Sequence, residues 1–150
     1  MNKDRKQDIT KYWQDKEREI GEEIRGRGMC EYLGGYNELR RRACGLLYFT
    51  DNAFYVEIYP QKSWWNSLLG AGSQERSQES ILVKINWNIV QDIHISSKEN
   101  RFLALFSSNH NRVSIKYLQN GIEKLLTLLI HFPSGREKFL ECFQSYEQLS

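Results

Sequence analysis

The reading of this chain turns on one stretch, Ala43-Cys44-Gly45-Leu46-Leu47-Tyr48-Phe49-Thr50-Asp51-Asn52-Ala53-Phe54-Tyr55-Val56-Glu57-Ile58-Tyr59. Both halves are dense in aromatic and aliphatic residues, and Asp51-Asn52 stands between them with the composition of a tight turn. The stretch predicts a β-hairpin with strands over 43–50 and 53–59. Upstream, residues 29–36 predict a preceding strand, in which Gly34-Gly35 marks a bend or bulge. Downstream, a tract rich in Gly, Ser and Gln over 70–80 leads to further β-rich runs at 81–85, 89–95, 101–106, 112–118 and 125–132. Their lengths and spacing read as an antiparallel meander rather than as alternating helices and strands.

The last run stops at Pro133, and Ser134-Gly135-Arg136-Glu137 has the S-x-x-E form of a capping box. A helix is expected to start there. It carries Phe139, Leu140, Cys142, Phe143, Tyr146 and Leu149 on about half of its circumference, an apolar face that must cover the sheet. At the other end, residues 1–27 hold eight basic and seven acidic residues. Ile9, Trp13, Ile20 and Ile24, with Tyr12 beside them, form a narrow stripe at helical spacing. This predicts a helix over 8–25, ended by Gly26 and Gly28, that packs on its own domain, pairs with a second copy or stays mobile in the monomer. The expected organisation is a charged amphipathic arm over 1–28 and a mainly β domain over 29–150 with a long loop over 60–80.

At 150 residues the chain suffices for one domain with its own core. Twenty-one Lys and Arg against 19 Asp and Glu give a formal charge of +2, so any electrostatic steering must be local. The basic residues are scattered rather than interleaved with aromatics along one face, which argues against nucleic acid. Cys30, Cys44 and Cys142 form no CxxC pair and no disulfide framework, and a reducing compartment fits them. The N-terminus lacks the apolar region of a secretory signal, and no apolar run approaches the roughly 20 residues of a membrane span. A cytoplasmic location is expected, with peripheral association to a membrane left open.

Order and spacing together carry a family resemblance. A seven-stranded antiparallel barrel-like sheet capped by one C-terminal helix resembles the pleckstrin-homology (PH) superfold. The local signals resemble its GRAM-type branch: Gly45-Leu46-Leu47-Tyr48-Phe49-Thr50 with Phe54-Tyr55-Val56, then Ile85-Asn86-Trp87-Asn88-Ile89-Val90-Gln91-Asp92-Ile93, then Arg136-Glu137-Lys138-Phe139-Leu140. Asn86 replaces the proline usual in the middle motif, and the 61–80 tract is long for a connection between neighbouring strands. The resemblance implies a non-catalytic binding module, with basic residues near the first hairpin as phosphate contacts, although the scaffold also hosts peptide binders and structural modules.

Candidate contact residues follow from this. Arg40, Arg41 and Arg42 lie near the first hairpin, and Lys62, Trp64, Trp65, Leu68 and Leu69 lie in the long loop. A short turn over 63–69 would put Trp65, Leu68 and Leu69 on one side with Trp64 adjoining, either folded over the sheet or projecting as a wedge. Burying about 200 Å² of such a wedge at roughly 25 cal/mol per Å² would contribute about 5 kcal/mol before the costs of association. The partner is then a protein or an anionic lipid surface, and self-association through the N-terminal helix or a sheet edge is the alternative. Catalysis finds little support: Asp92 and His94 share a strand face, but no nucleophile can be set beside them, and His110 and His131 complete no metal-ligand set. No cofactor is implied.

Overall fold

In a computed structural model the described residues are 3–37, 39, 41–60, 80–95 and 112–149. A helix α1 (Lys3–Ile20) precedes seven strands: β1 (Gly26–Gly34), β2 (Ala43–Phe49), β3 (Ala53–Tyr59), β4 (Ile81–Asn86), β5 (Val90–Ile95), β6 (Arg112–Gln119) and β7 (Ile122–Ile130). A 3₁₀ turn (Trp87–Ile89) joins β4 to β5, and a helix α2 (Gly135–Leu149) ends the described chain. The run expected over 101–106 lies outside the described residues.

All pairings are antiparallel, in the order β4-β3-β2-β1-β7-β6-β5. The expected hairpin over 43–59 is present, with Phe49 opposite Phe54. Its turn is held by Thr50, whose N–H donates to the Ala53 carbonyl at 2.8 Å and whose hydroxyl accepts the Asn52 and Ala53 N–H groups, each at 3.2 Å. The glycine bend is also present, as a register shift on the β7 side of β1 between Tyr32 and Gly34.

The expected barrel is not formed. The sheet is open, with β4 and β5 at its two ends and no ladder between them among the described residues. Side chains fill the opening instead. The Trp87 indole is buried, donates its Nε1–H to the Thr50 carbonyl at 2.9 Å, and packs against Phe54, Phe139 and Phe143 at centroid distances of 5.2, 5.2 and 6.0 Å. Phe139 and Phe143 come from α2, so the helix covers the opening with aromatic area where a barrel would use backbone hydrogen bonds. Leu47, Val56, Val113, Ile115, Leu126 and Leu128 are among the other side chains of this core.

The end of α1 and the cap of α2 depart from expectation, while α2 starts where expected. α1 ends at Ile20 because Gly21 adopts a φ of 74° and donates its N–H to the Glu17 carbonyl at 2.8 Å, a left-handed stop that glycine permits cheaply. Ile24 therefore lies beyond the helix, and Gly26 and Gly28 belong to β1. At α2, Ser134 has a φ of 56°, outside the extended conformation of a capping-box serine, and the helix starts at Gly135. The Ser134 carbonyl accepts the Lys138 N–H at 3.0 Å.

The second face of the hairpin is covered by α1. Trp13 is buried against Tyr48, edge to face at 5.6 Å, and Tyr48 stacks on Tyr55 at 5.0 Å. Glu57, also buried, accepts from Lys16 Nζ at 2.9 Å and from the Tyr48 and Tyr59 hydroxyls at 3.2 and 3.0 Å. A carboxylate removed from water needs such partners, and the helix supplies the countercharge.

Candidate contact surface

The connection from β1 to β2 is where the expected basic site falls, and a single buried tyrosine shapes it. Tyr32 is fully buried at the end of β1. Its hydroxyl accepts the Tyr36 N–H at 2.8 Å and donates to the Leu39 carbonyl at 2.7 Å. Tyr36 and Leu39 also bridge each other, so the connection closes into a tight turn with Asn37 at a φ of 50°. Gly35 (φ 103°) lies against the β7 backbone, where an added Cβ would overlap the Leu125 carbonyl.

On this anchored base stand the arginines. Arg42 donates Nε to Glu31 Oε1 at 3.0 Å and pairs with the same oxygen through its terminal nitrogen at 2.9 Å. His131 Nε2 lies 3.7 Å from the other Glu31 oxygen. Such pairs at the surface contribute little to stability, typically below about 1 kcal/mol, so their effect is to set the side-chain direction. Arg41 is exposed and has no ion-pair partner among the described residues. Arg40, Lys62, Trp64, Trp65, Leu68 and Leu69 lie outside the described residues. The register does locate the exit of the long segment: Cys44 opposes Tyr59 and Ile58 opposes Ile81. Pro60 and Ser80 thus emerge at the same sheet end as Arg42.

Sequence reasoning missed the Tyr32 anchor, since nothing about a tyrosine in an apolar strand announces that its hydroxyl will hold a turn. It also missed Glu31 as the partner of Arg42, which only the β1–β2 register brings into reach.

Asp92 and His94 are both exposed on β5, opposite Lys116 and Ser114 respectively. A hydroxyl thus stands across from His94, a neighbour the sequence did not supply. Neither side chain makes a hydrogen bond with Ser114 among the described residues. Cys30 and Cys142 are free thiols; burial raises the Cys30 pKa, and burial followed by the Asp51 charge pushes Cys142 up to about 11. Both are therefore protonated at neutral pH and poor nucleophiles. Among the described residues no cluster of His, Cys, Asp and Glu is placed to hold a metal ion, and no helix is long and apolar enough to cross a membrane.

No family model and no curated protein matches this chain. Solved structures do. The hSac2 domain from human phosphoinositide phosphatase Sac2 superimposes with a TM-score of 0.54 at 12% identity, covering 94% of this chain and 82% of that one. A chain in the crystal structure of human RhoA in complex with the DH/PH fragment of PDZRHOGEF superimposes with a TM-score of 0.51 at 8% identity, covering 90% of this chain and 32% of that one. At such identities the likeness is one of fold: a sheet flanked by helices, of the kind found in PH-containing and Sac2 proteins.

Proposed function

We propose that the chain is a non-catalytic interaction module, of the GRAM-type branch of PH-like proteins, that contacts a protein partner or an anionic membrane surface through the β1–β2 end of its sheet. The observation that carries this reading is Arg41, without an ion-pair partner among the described residues, beside Arg42 next to a turn fixed by Tyr32. The fold shared with a domain of a phosphoinositide phosphatase and with a chain of a DH/PH complex supports the same reading.

Magnitude separates the two partners. Two arginines contribute about 2 kcal/mol at an anionic membrane, at about 1 kcal/mol each, and Glu31 offsets part of that. A membrane contact then depends on the apolar contribution of Trp64, Trp65, Leu68 and Leu69, with Lys62 adding charge, whereas a protein partner can match the mixed Arg42, Glu31 and Arg41 charges directly. The test is co-sedimentation with anionic vesicles at low salt for the native chain, an Arg41→Gln/Arg42→Gln variant and a Trp64→Ala/Trp65→Ala variant. Retention that falls with salt and is lost in both variants supports the membrane contact. A native chain that stays in the supernatant at low salt eliminates it and leaves the protein partner. Self-association through α1 is the weaker reading, because Trp13 from its apolar stripe is already buried within the chain.

A further inference from the structure

At the opposite end of β1, the strand start, the tail of β7 and the first turn of α2 enclose an open cleft of about 510 Å³. Its lining is apolar at Ile24, Phe132 and Pro133 and basic at Arg25, Arg27 and Lys138, with Glu17 the acid among the lining residues. The walls are fixed in place. The Phe132 ring occupies space that a Cβ on Gly28 or on Gly135 would need, and its carbonyl accepts the Gly135 N–H at 3.1 Å. Facing it, the Ile24 N–H donates to Glu17 Oε1 at 3.0 Å and the Arg25 N–H to the Phe49 carbonyl at 2.8 Å.

The charges in the cleft are unequally committed. Arg25 is spent on Asp51, with contacts of 3.2 and 2.9 Å, and on Glu23 at 3.4 Å. Glu17 is occupied by the Ile24 N–H. Arg27 has its guanidinium 4.9 Å from the centre of the Trp13 ring, and Lys138 is exposed; among the described residues neither has a carboxylate partner. Two cations with no carboxylate partner among the described residues, one a planar fork and one a point charge, thus line a cleft that also offers an aromatic wall and a single acid, Glu17. A carboxylate would neutralise one of them. A phosphomonoester, largely dianionic at neutral pH, matches both.

We infer that this cleft binds a phosphomonoester, its oxyanion between Arg27 and Lys138 and its organic body against Ile24, Phe132 and Pro133. The site lies at the end of β1 away from the Arg41–Arg42 surface and stands or falls independently of it. The experiment is titration of the full chain with inorganic phosphate and with phenyl phosphate, followed by backbone amide NMR. Phenyl phosphate is expected to bind the more tightly of the two and to shift the amides of Ile24, Gly26 and Phe132. Arg27→Gln and Lys138→Gln should each weaken it about tenfold, one charge-assisted contact apiece. Because Arg27 also touches Trp13, Lys138→Gln is the decisive variant, and its melting temperature should match the native one. Arg41→Gln/Arg42→Gln should leave the affinity unchanged. Vesicles bearing a phosphomonoester lipid identify the source: retention through Arg27 and Lys138 assigns a headgroup, and phenyl phosphate binding without retention assigns a soluble ligand. Absence of saturable phenyl phosphate binding, undiminished binding by Lys138→Gln, or dependence on Arg41 and Arg42 would overturn the inference.

Discussion

Phe139 and Phe143 project from one face of α2 into the opening between the sheet ends, the first fully buried and the second 5% exposed. Phe139 meets Phe49, Phe54 and Trp87 at centroid distances of 5.4, 5.1 and 5.2 Å, so truncating it leaves three rings facing a void. Phe139→Ala and Phe143→Ala should each cost about 3 to 5 kcal/mol, with Phe139 at the upper end, read as a shift in the denaturant midpoint. A midpoint unmoved by Phe143→Ala would remove that residue from the core. Glu57 gives a prediction of a different kind. Burial, and after it the Glu57 charge, raise the phenol pKa values of Tyr48 and Tyr59 above 10.0. For Lys16, burial works against the charge, but the Glu57 hydrogen bond and charge outweigh it and the pKa also rises above its ordinary 10.5. In each case the folded chain keeps a proton that the unfolded chain releases, so the stabilisation is complete below about pH 10 and is lost as pH climbs through the folded values. Melting temperature measured upward from neutral pH should fall past pH 10, and Glu57→Gln should make that fall shallower.

The elements show what the sequence discloses and what it withholds. The hairpin over 43–59 was legible because both strands and their turn are local; both of its faces are buried, and the alternation survives as a division between two clusters, Leu47, Phe49, Phe54, Val56 and Ile58 in the main core and Tyr48 and Tyr55 under α1. Closure into a barrel was not legible, since whether β4 meets β5 depends on where Trp87 and α2 come to rest, a contact between distant parts of the chain. The α1 boundary failed for a local reason: three glycines stand near its end, and Gly21, with its φ of 74°, is the one that stops it. Of the candidate site, Arg41 and Arg42 were legible by type, but their anchoring depends on Tyr32 and Glu31 across a strand register. Two substitutions test these elements. Gly35→Ala meets both a φ of 103° and the Leu125 carbonyl, so it should destabilise by more than about 1 to 3 kcal/mol and unseat the β1–β2 turn, visible as faster amide exchange at Tyr36 and Leu39. Trp13→Ala should uncover Tyr48 and Tyr55, costing about 3 to 5 kcal/mol if α1 remains docked. If the helix is released instead, its own amides lose protection while those of β1 and β7 keep theirs.

For the whole molecule the strand order sets a gradient of stability. β1 is the middle strand of seven, paired on both sides, while β4 and β5 end the sheet. Native-state hydrogen exchange should therefore be slowest in β1 and its neighbours β2 and β7, and faster toward β4 and β5. Equal protection in β1 and β5 would contradict the open sheet. The same order has a consequence for a chain emerging from the ribosome. β2 follows β1 almost at once, but Cys30 must wait for Ile130 to complete its other side. At translation speeds of roughly 5 to 20 residues per second, the central strand has one bare edge for on the order of 5 to 20 seconds. A nascent hairpin-rich chain with an unpaired, apolar strand edge is a template for its neighbours on the same message. Arrest of synthesis between β2 and β7 should thus yield insoluble fragments, and a chaperone that shields strand edges would act on this protein during its making rather than after it.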